Sequence, residues 1–95
     1  MTRSICTARC QRIGEGMAEG RLDGHPGNLT VRTFQHGESL VLSLWDRAHR
    51  IGEGVLHKIK GEWWGTCTEC TAEWSVTGKN GHLAFSERTQ RGNAR

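Results

Sequence analysis

The sequence predicts a small, mostly β fold, an antiparallel meander of about five or six strands with a zinc knuckle and an irregular Gly-rich N-terminal segment. Residues 62–85 alternate between apolar and polar side chains, as half-buried strands do. Turn signals separate the runs, the clearest being Asn80-Gly81, where both residues tolerate positive φ. The four cysteines form two close pairs, a pattern typical of metal sites in small domains. These pairs are Cys6/Cys10 and Cys67/Cys70.

The predicted centre of the fold is a hairpin with a metal-binding turn. Its strands are expected at 62–67 and 71–77, joined by Cys67-Thr68-Glu69-Cys70. A third strand at 82–85 follows the turn Gly78-Lys79-Asn80-Gly81. The sequence therefore predicts three consecutive antiparallel strands in this part of the chain.

Side-chain alternation gives this hairpin one apolar face. Pairing outward from the two turns sets Trp63 opposite Trp74 and Val76 opposite Leu83, with all four on the same face. Trp64 lies on the other face among polar side chains. A slip of one residue would scatter the apolar side chains over both faces, which favours this assignment of faces. Two readings of Trp64 stay open: an exposed contact residue, or a core residue covered by the preceding strands.

Strands are also predicted before this hairpin. Those at 29–34 and 39–45 flank a short Gly-containing turn. The run at 40–45 is apolar on nearly both faces, so it is expected to be central and covered on each side. A polar turn at 46–50 precedes a further strand at 55–60.

Length and composition predict one domain, at residues 1–87. Residues 14–28 hold many glycines and the single proline, so we expect an irregular connector there. The polar, Arg-rich tail at 88–95 has no apolar anchor and is expected to be disordered. Only 35% of the 95 residues are hydrophobic, which is a thin supply for a core and favours an added covalent or metal tie.

The start of the chain has no apolar run typical of a secretion signal, and no segment reaches membrane-spanning length. We therefore expect a reducing, cytoplasmic setting, where paired cysteines bind metal more often than they form disulfides. The small size and the use of ten Arg against three Lys are typical of a bacterial, phage or mobile-element regulator or inhibitor.

The predicted metal site is one structural zinc held by four thiolates. Cys-x-x-Cys on a tight turn lets two sulfurs reach one ion, and Cys6 and Cys10 are the natural completing pair. Residues 62–85 resemble the zinc-ribbon and zinc-knuckle group through Cys67, Cys70 and their flanking strands. That resemblance implies a module that binds nucleic acid or protein. Four thiolates leave no open coordination position, so this zinc would stabilise the fold without activating water.

Three alternatives to the four-cysteine site stay open. A histidine could replace one cysteine of the first pair as a ligand. Cys67 and Cys70 could be a thiol redox pair, although that chemistry is typical of a helix N-terminus rather than a strand. All four cysteines could also be reduced core residues that act as small hydrophobes. The candidate histidines are His25, His36, His57 and His82.

Function is predicted to be binding rather than catalysis. No phosphate-binding loop and no Gly-x-Ser-x-Gly motif is present, so neither enzyme activity nor a small-molecule substrate is expected. Trp64 could anchor a partner protein or stack on a base. The net charge of +3 is mild and acidic residues are interspersed, which favours a protein partner over nucleic acid and gives no indication of membrane binding. A basic rim is predicted at Arg47, Arg50, Lys58 and Lys60.

Overall fold

The computed structural model describes residues 5–25, 27–70 and 72–88. These residues form nine strands and are almost entirely β structure. The strands are β1 (Ile5–Arg9), β2 (Gln11–Gly14), β3 (Met17–Asp23), β4 (Leu29–His36), β5 (Ser39–Asp46), β6 (His49–Ile59), β7 (Glu62–Glu69), β8 (Ala72–Lys79) and β9 (His82–Glu87).

The strands form one antiparallel sheet that closes into an eight-stranded barrel. Each strand from β3 to β9 pairs with the next along the chain, and β1 closes the ring by pairing with both β9 and β3. β2 continues the line of β1 beside β3: β1 pairs with the end of β3, and β2 pairs with its beginning. Consecutive strands run in opposite directions, so the turns gather at two ends. We call them the Cys70 end, with the turns at 47–48 and at Cys70, and the Lys60 end, with the turns at 60–61 and 80–81.

Alternate side chains on every strand except β2 point into the barrel and fill it. The interior is mainly leucine and valine with one large aromatic pair, in which Trp74 meets Phe85 edge-on at 6.5 Å. Thr33 is the one buried polar residue among those described. The buried apolar residues are Cys6, Ala8, Leu22, Leu29, Val31, Leu40, Leu42, Leu44, Leu56, Cys67, Trp74, Val76, Leu83 and Phe85.

Glycines that face inward let neighbouring strands come close. A Cβ atom at Gly54 would collide with the Thr66 carbonyl oxygen, and one at Gly65 would collide with the Val55 carbonyl oxygen. These two positions therefore require glycine where β6 and β7 coil tightly around the barrel. The barrel is flattened, with principal extents of 44 × 32 × 17 Å.

The prediction of a mostly β, antiparallel fold is confirmed, but the strand count and the connector are different. Nine strands form instead of about five or six. Much of the predicted irregular connector at 14–28 is strand β3. Gly20 lies within that strand. A side chain at this position would collide with the Arg9 carbonyl oxygen, so the close approach of the two strands requires glycine there. The predicted disorder at 88–95 concerns residues outside those described, except Arg88, whose N–H donates to the Glu73 carbonyl at 2.9 Å.

The hairpin at 62–85 has the predicted faces but a different register. Trp63 pairs with Gly78 rather than Trp74, and Val76 pairs with Phe85 rather than Leu83. Both shifts are even, so every side chain keeps its face. The turn between β7 and β8 begins at Cys70, with φ of 52°, so Cys67 lies inside strand β7 rather than at the turn, and the described residues show no zinc knuckle there.

Candidate functional site

Exposed apolar side chains form a continuous row across the outside of β3, β4, β5 and β6. Met17 pairs directly with Phe34, Phe34 pairs with Val41, and Val41 pairs with Val55. Directly opposed side chains on antiparallel strands have Cβ atoms about 4.5–5.5 Å apart, so the row is contiguous. Each of the four side chains is 42–47% exposed. The described part of the chain leaves this row uncovered.

Trp64 extends the row onto β7. Its cross-strand partner is His57, which lies two residues from Val55 on the same face of β6. The indole and Val55 are therefore diagonal neighbours. Trp64 is 47% exposed, which settles the open question of its environment in favour of the outer surface. With Ile59, which faces outward at the end of β6, the row forms what we call the outer apolar face: Met17, Phe34, Val41, Val55, Ile59 and Trp64.

The outer apolar face is large for so small a protein. Phe and Trp side chains expose 150–250 Å² when free, and six side chains near half exposure together present about 500 Å² of apolar surface. The largest apolar patch of a typical monomer is about 300–600 Å² and is often functional. This face is thus at the upper part of that range on a chain of 95 residues.

Two ion pairs within the chain lie beside the outer apolar face. Arg32 Nε donates to Glu19 Oε1 at 3.2 Å, next to the row on β4 and β3. Arg50 Nη1 lies 3.8 Å from Glu53 Oε1 on β6. These exposed pairs add little stability. Each of these two pairs brings one positive and one negative group together beside the row.

The predicted basic rim is divided between the two ends of the barrel. Arg47 and Arg50 lie at the Cys70 end, in the turn before β6 and at its start. Lys58 and Lys60 lie at the Lys60 end, and the Lys58 ammonium is placed over the Trp63 ring, 5.5 Å from its centroid. Lys58 lies eight positions after Arg50 on the same strand, which is about 26 Å at the usual rise. The four residues therefore do not form one cationic patch with Trp64.

The four cysteines of the predicted zinc site lie in different parts of the barrel. Cys6 and Cys67 both point inward, but β9 and β8 separate their strands. Cys70 is exposed at the Cys70 end, whereas Cys10 donates its backbone N–H to Gly81 at the Lys60 end. Within the described residues, no three His, Cys, Asp or Glu side chains cluster closely enough to hold a metal ion. Zinc binding by these four thiolates stays a prediction from the sequence.

Burial keeps the interior thiols protonated. Desolvation, with Glu69 and Glu53 adding repulsion, raises the pKa of Cys67 to about 12. Desolvation and the nearby Glu19 raise the pKa of Cys10 to about 11. Desolvation and then Glu69 and Glu87 also raise the pKa of Cys6. Because the thiolate is the reactive form, these three thiols are poor nucleophiles at neutral pH.

A cluster that sequence reasoning missed closes the Cys70 end of the barrel. Glu69 points inward from β7, and its carboxylate accepts hydrogen bonds from His25 Nε2 at 2.9 Å and from Trp74 Nε1 at 3.1 Å. The His25 and Glu69 side chains are only 12% and 15% exposed. The 44-residue separation of the pair leaves no local sequence signal for it.

The hydrogen bonds of His25 define its role. The Gly27 N–H donates to Nδ1 at 2.9 Å, so Nδ1 is the acceptor and Nε2 carries the proton donated to Glu69. Both ring nitrogens are therefore occupied, and neither can take a substrate proton without breaking a bond. This arrangement is a tie that fastens the β3–β4 connection across the barrel end.

A surface groove lies on another part of the barrel, across β7, β8, β9 and β1. Its volume is about 620 Å³. Arg9, Lys79 and His82 line it together with Asp23 and Glu62, so the charges are mixed. None of these five side chains is buried, and the groove lacks the enclosed apolar walls that are usual in a small-molecule site.

Comparisons with known proteins give no match: no family model, no curated protein and no solved structure is similar to this chain. In the part of the chain that the structure describes, no helix is long and apolar enough to cross a membrane.

Proposed function

We propose that this chain is a small, non-enzymatic protein-interaction module, of the kind found in regulators and inhibitors, whose contact surface is the outer apolar face. The observation that carries the proposal is the unbroken row from Met17 to Val55, in which directly paired residues on four adjacent strands are all apolar and all nearly half exposed. Water-exposed positions of a sheet are normally polar, so a contiguous apolar row supports a role in contact. Trp64 supplies an aromatic anchor at its edge.

The strand at residues 40–45 supports the same proposal. Its sequence is apolar on nearly both faces, which is typical of a strand covered on each side. Closing the barrel buries Leu40, Leu42 and Leu44 but leaves Val41 45% exposed. The barrel interior covers one face of this strand, and a protein partner would cover the other face.

A protein partner fits this surface better than nucleic acid. Non-specific affinity for nucleic acid depends on several cations placed to meet successive phosphates. Here the predicted cations lie at opposite ends, Arg50 is paired with Glu53, and Lys58 is placed over Trp63. An apolar surface with an aromatic anchor and charge-neutral borders is typical of a protein contact.

Alternative uses of the interior have less support. The barrel is filled by side chains. Among the described residues, every buried side-chain nitrogen or oxygen atom already has a hydrogen-bond partner, so none calls for a ligand. A redox role for Cys67 and Cys70 requires a reactive thiolate, whereas Cys67 has a raised pKa and lies on a strand. The binding proposal needs no metal.

Site-specific photo-crosslinking tests the proposal. A benzophenone amino acid replaces Trp64 in one variant and Thr7, an exposed residue of β1 outside the outer apolar face, in the control. Both variants are irradiated in extracts of the source cells, and adducts are identified by mass spectrometry. We expect a defined protein adduct at position 64 and none at position 7. No protein adduct at position 64, or the same adducts at both positions, would contradict the proposal.

A gel-shift titration at two salt concentrations tests the nucleic-acid alternative. A complex that weakens steeply with salt, and is lost on Arg47→Ala or Trp64→Ala, would favour that alternative. The protein-contact proposal predicts no shift on single-stranded or double-stranded probes.

A further inference from the structure

We propose that the groove across β7, β8, β9 and β1 binds a compact anion of two or three linked phosphate groups, either free or carried by a nucleoside. This site is separate from the apolar row that runs from Met17 to Val55, so it goes beyond the proposed protein contact. Three observations carry the proposal: a row of basic side chains that face one another, carboxylates at both ends of the groove, and a floor of small side chains. We call the basic side chains the Arg9 row: Arg21, Arg9, His82 and Lys79.

The Arg9 row crosses four adjacent strands at directly opposed positions. Arg9 pairs with His82 on β9, and His82 pairs with Lys79 on β8. The pairs that β1 and β2 form with β3 follow one continuous register, and that register sets Arg21 opposite Arg9. Neighbouring strands lie about 4.8 Å apart, so the row is about 14 Å long. The outside of the barrel therefore carries a continuous line of nitrogen donors.

Packing gives no reason for the Arg9 row. Like charges directly opposed across antiparallel strands destabilise a sheet. None of the four side chains belongs to an ion pair among the described residues, and all four residues are exposed. An anion over the row would neutralise these charges. Arginine is suited to a phosphate group, because its planar guanidinium donates two parallel hydrogen bonds to phosphate oxygens.

Carboxylates at both ends of the groove favour a short anion. Glu62 lies on β7 next to Lys79, and Asp23 lies on β3 opposite Thr7. A nucleic-acid strand or a long polyphosphate chain would run past these ends and meet negative groups, which is a cost that a compact anion avoids. The two carboxylates can also accept hydrogen bonds from the hydroxyl groups of a ribose when the phosphates belong to a nucleotide.

Small side chains make the surface beside the Arg9 row concave. Thr7, Ala84 and Thr77 are directly opposed on β1, β9 and β8, two positions along each strand from the row. The groove above them has a volume of about 620 Å³, within the usual range for a ligand site. The two threonine hydroxyls add donors for phosphate oxygens. An open polar floor beside a basic row fits a charged ligand rather than an apolar one.

Isothermal titration calorimetry of the full chain with sodium tripolyphosphate, at low ionic strength, tests the site. We expect a dissociation constant below about 100 μM, and a value at least about 10-fold higher for inorganic monophosphate, which is too short to reach along the row. Arg9→Gln and Lys79→Gln should each raise the tripolyphosphate constant by about 10-fold or more, because each removes a charge-assisted hydrogen bond. Arg47→Gln removes the same charge at the Cys70 end of the barrel and is the matched control. It should change the constant by less than about twofold.

ATP in the same titration distinguishes the two sources of the phosphate groups. Equal affinity for ATP and tripolyphosphate assigns the groove to the phosphate chain alone. Tighter binding of ATP, with the gain lost in Asp23→Asn, assigns it to a nucleotide whose ribose reaches the β3 end of the groove.

Two results would overturn the inference. One is the absence of binding heat, together with unshifted amide NMR signals around His82, at up to about 1 mM tripolyphosphate. The other is an equal loss of affinity in Arg9→Gln and Arg47→Gln, which would indicate diffuse attraction to the net charge of +3. Urea unfolding controls for folding: Arg9→Gln relieves repulsion and should be at least as stable as wild type at low salt. Lys79→Gln provides a second variant, so a folding defect in one of them does not decide the result.

Discussion

Phe34 and Val41 are direct cross-strand partners on the outside of the barrel, yet 47% of Phe34 and 45% of Val41 remain exposed to water. Leu42, the next residue after Val41, is completely buried inside. The same strand thus presents one filled apolar face and one open apolar face. This contrast is the basis for the account of binding, and it can be measured residue by residue.

Val41→Ala and Leu42→Ala should differ sharply in stability. Leu42→Ala leaves a cavity in a packed interior, so we expect a loss of about 2–5 kcal/mol in the free energy of unfolding. Val41→Ala removes methyl groups that water already reaches and should cost less than about 1 kcal/mol. Urea denaturation measures both. Equal losses would mean that the faces of β5 are assigned wrongly.

His25→Ala should loosen the Cys70 end of the barrel. The change removes the donor at 2.9 Å from the Glu69 carboxylate and leaves that mostly buried group with Trp74 as its remaining side-chain donor. Losing one partner of a buried polar group costs about 1–3 kcal/mol. His49→Ala, at an exposed position at the start of β6, is the control and should change stability by less than about 0.5 kcal/mol. Thermal and urea unfolding of both variants would test this, and similar values for the two would rule out a structural tie.

Alkaline pH should destabilise the protein partly through Cys67. The pKa of its thiol is about 12 in the folded chain, against an ordinary value of 9.0. Between these pH values the unfolded chain releases a proton that the folded chain keeps, so the stabilisation is fully present below pH 9 and is lost as pH rises towards 12. The loss is on the order of 1 kcal/mol per pH unit. Urea unfolding of wild type and Cys67→Ala from neutral to alkaline pH should show a shallower decline in the variant; identical slopes would argue against a buried, protonated thiol.

Elemental analysis of purified protein decides between the sequence-based zinc prediction and the cysteine placement in the barrel. With the strands as placed, we expect well below one zinc per chain, since Cys10 and Cys70 lie at opposite ends. Chelator treatment should also leave the unfolding midpoint unchanged. One zinc per chain, lost together with the fold in both Cys6→Ser and Cys67→Ser, would show that the four thiolates meet and that this arrangement of strands is incorrect.

Local pattern predicts the faces of the barrel well. Alternation alone placed Trp74, Val76 and Leu83 on the core face, although the register of both hairpins was wrong. The reason is physical: a strand has a period of two, so an even slip moves partners without moving faces. The turn at Asn80-Gly81 was predicted correctly for the same local reason, since both residues have positive φ.

Glycine is one cause of the missed strand residues. Gly20 lay in the predicted irregular connector and Gly54 lay before the predicted strand at 55–60, whereas both lie within strands whose neighbours approach too closely for a side chain. That closeness depends on strands from other parts of the chain, so local sequence does not indicate it.

Contacts between distant residues could not be predicted. The row from Met17 to Val55 needs the registers of three hairpins, and the His25–Glu69 pair spans 44 residues. The two cysteine pairs were predicted to share one site. The spacing within each pair shows only that its members are close in sequence, and it does not show that the two pairs meet in space. In the barrel, Cys6 lies on β1 and Cys10 directly after it, but the two residues lie towards opposite ends of the barrel.

Solvent exposure of the indole groups tests the central claim most directly. The claim is that Trp64 lies on the outer apolar face and Trp74 inside, on the neighbouring strand. The indole N–H signals can be assigned with Trp64→Phe and Trp74→Phe and then measured with a soluble paramagnetic agent. We predict strong broadening of the Trp64 signal in the free protein and its protection in a complex, with Trp74 protected throughout. A Trp64 signal that is protected in the free protein while Trp74 is broadened would contradict the account, because the faces of β7 and β8 would then be reversed.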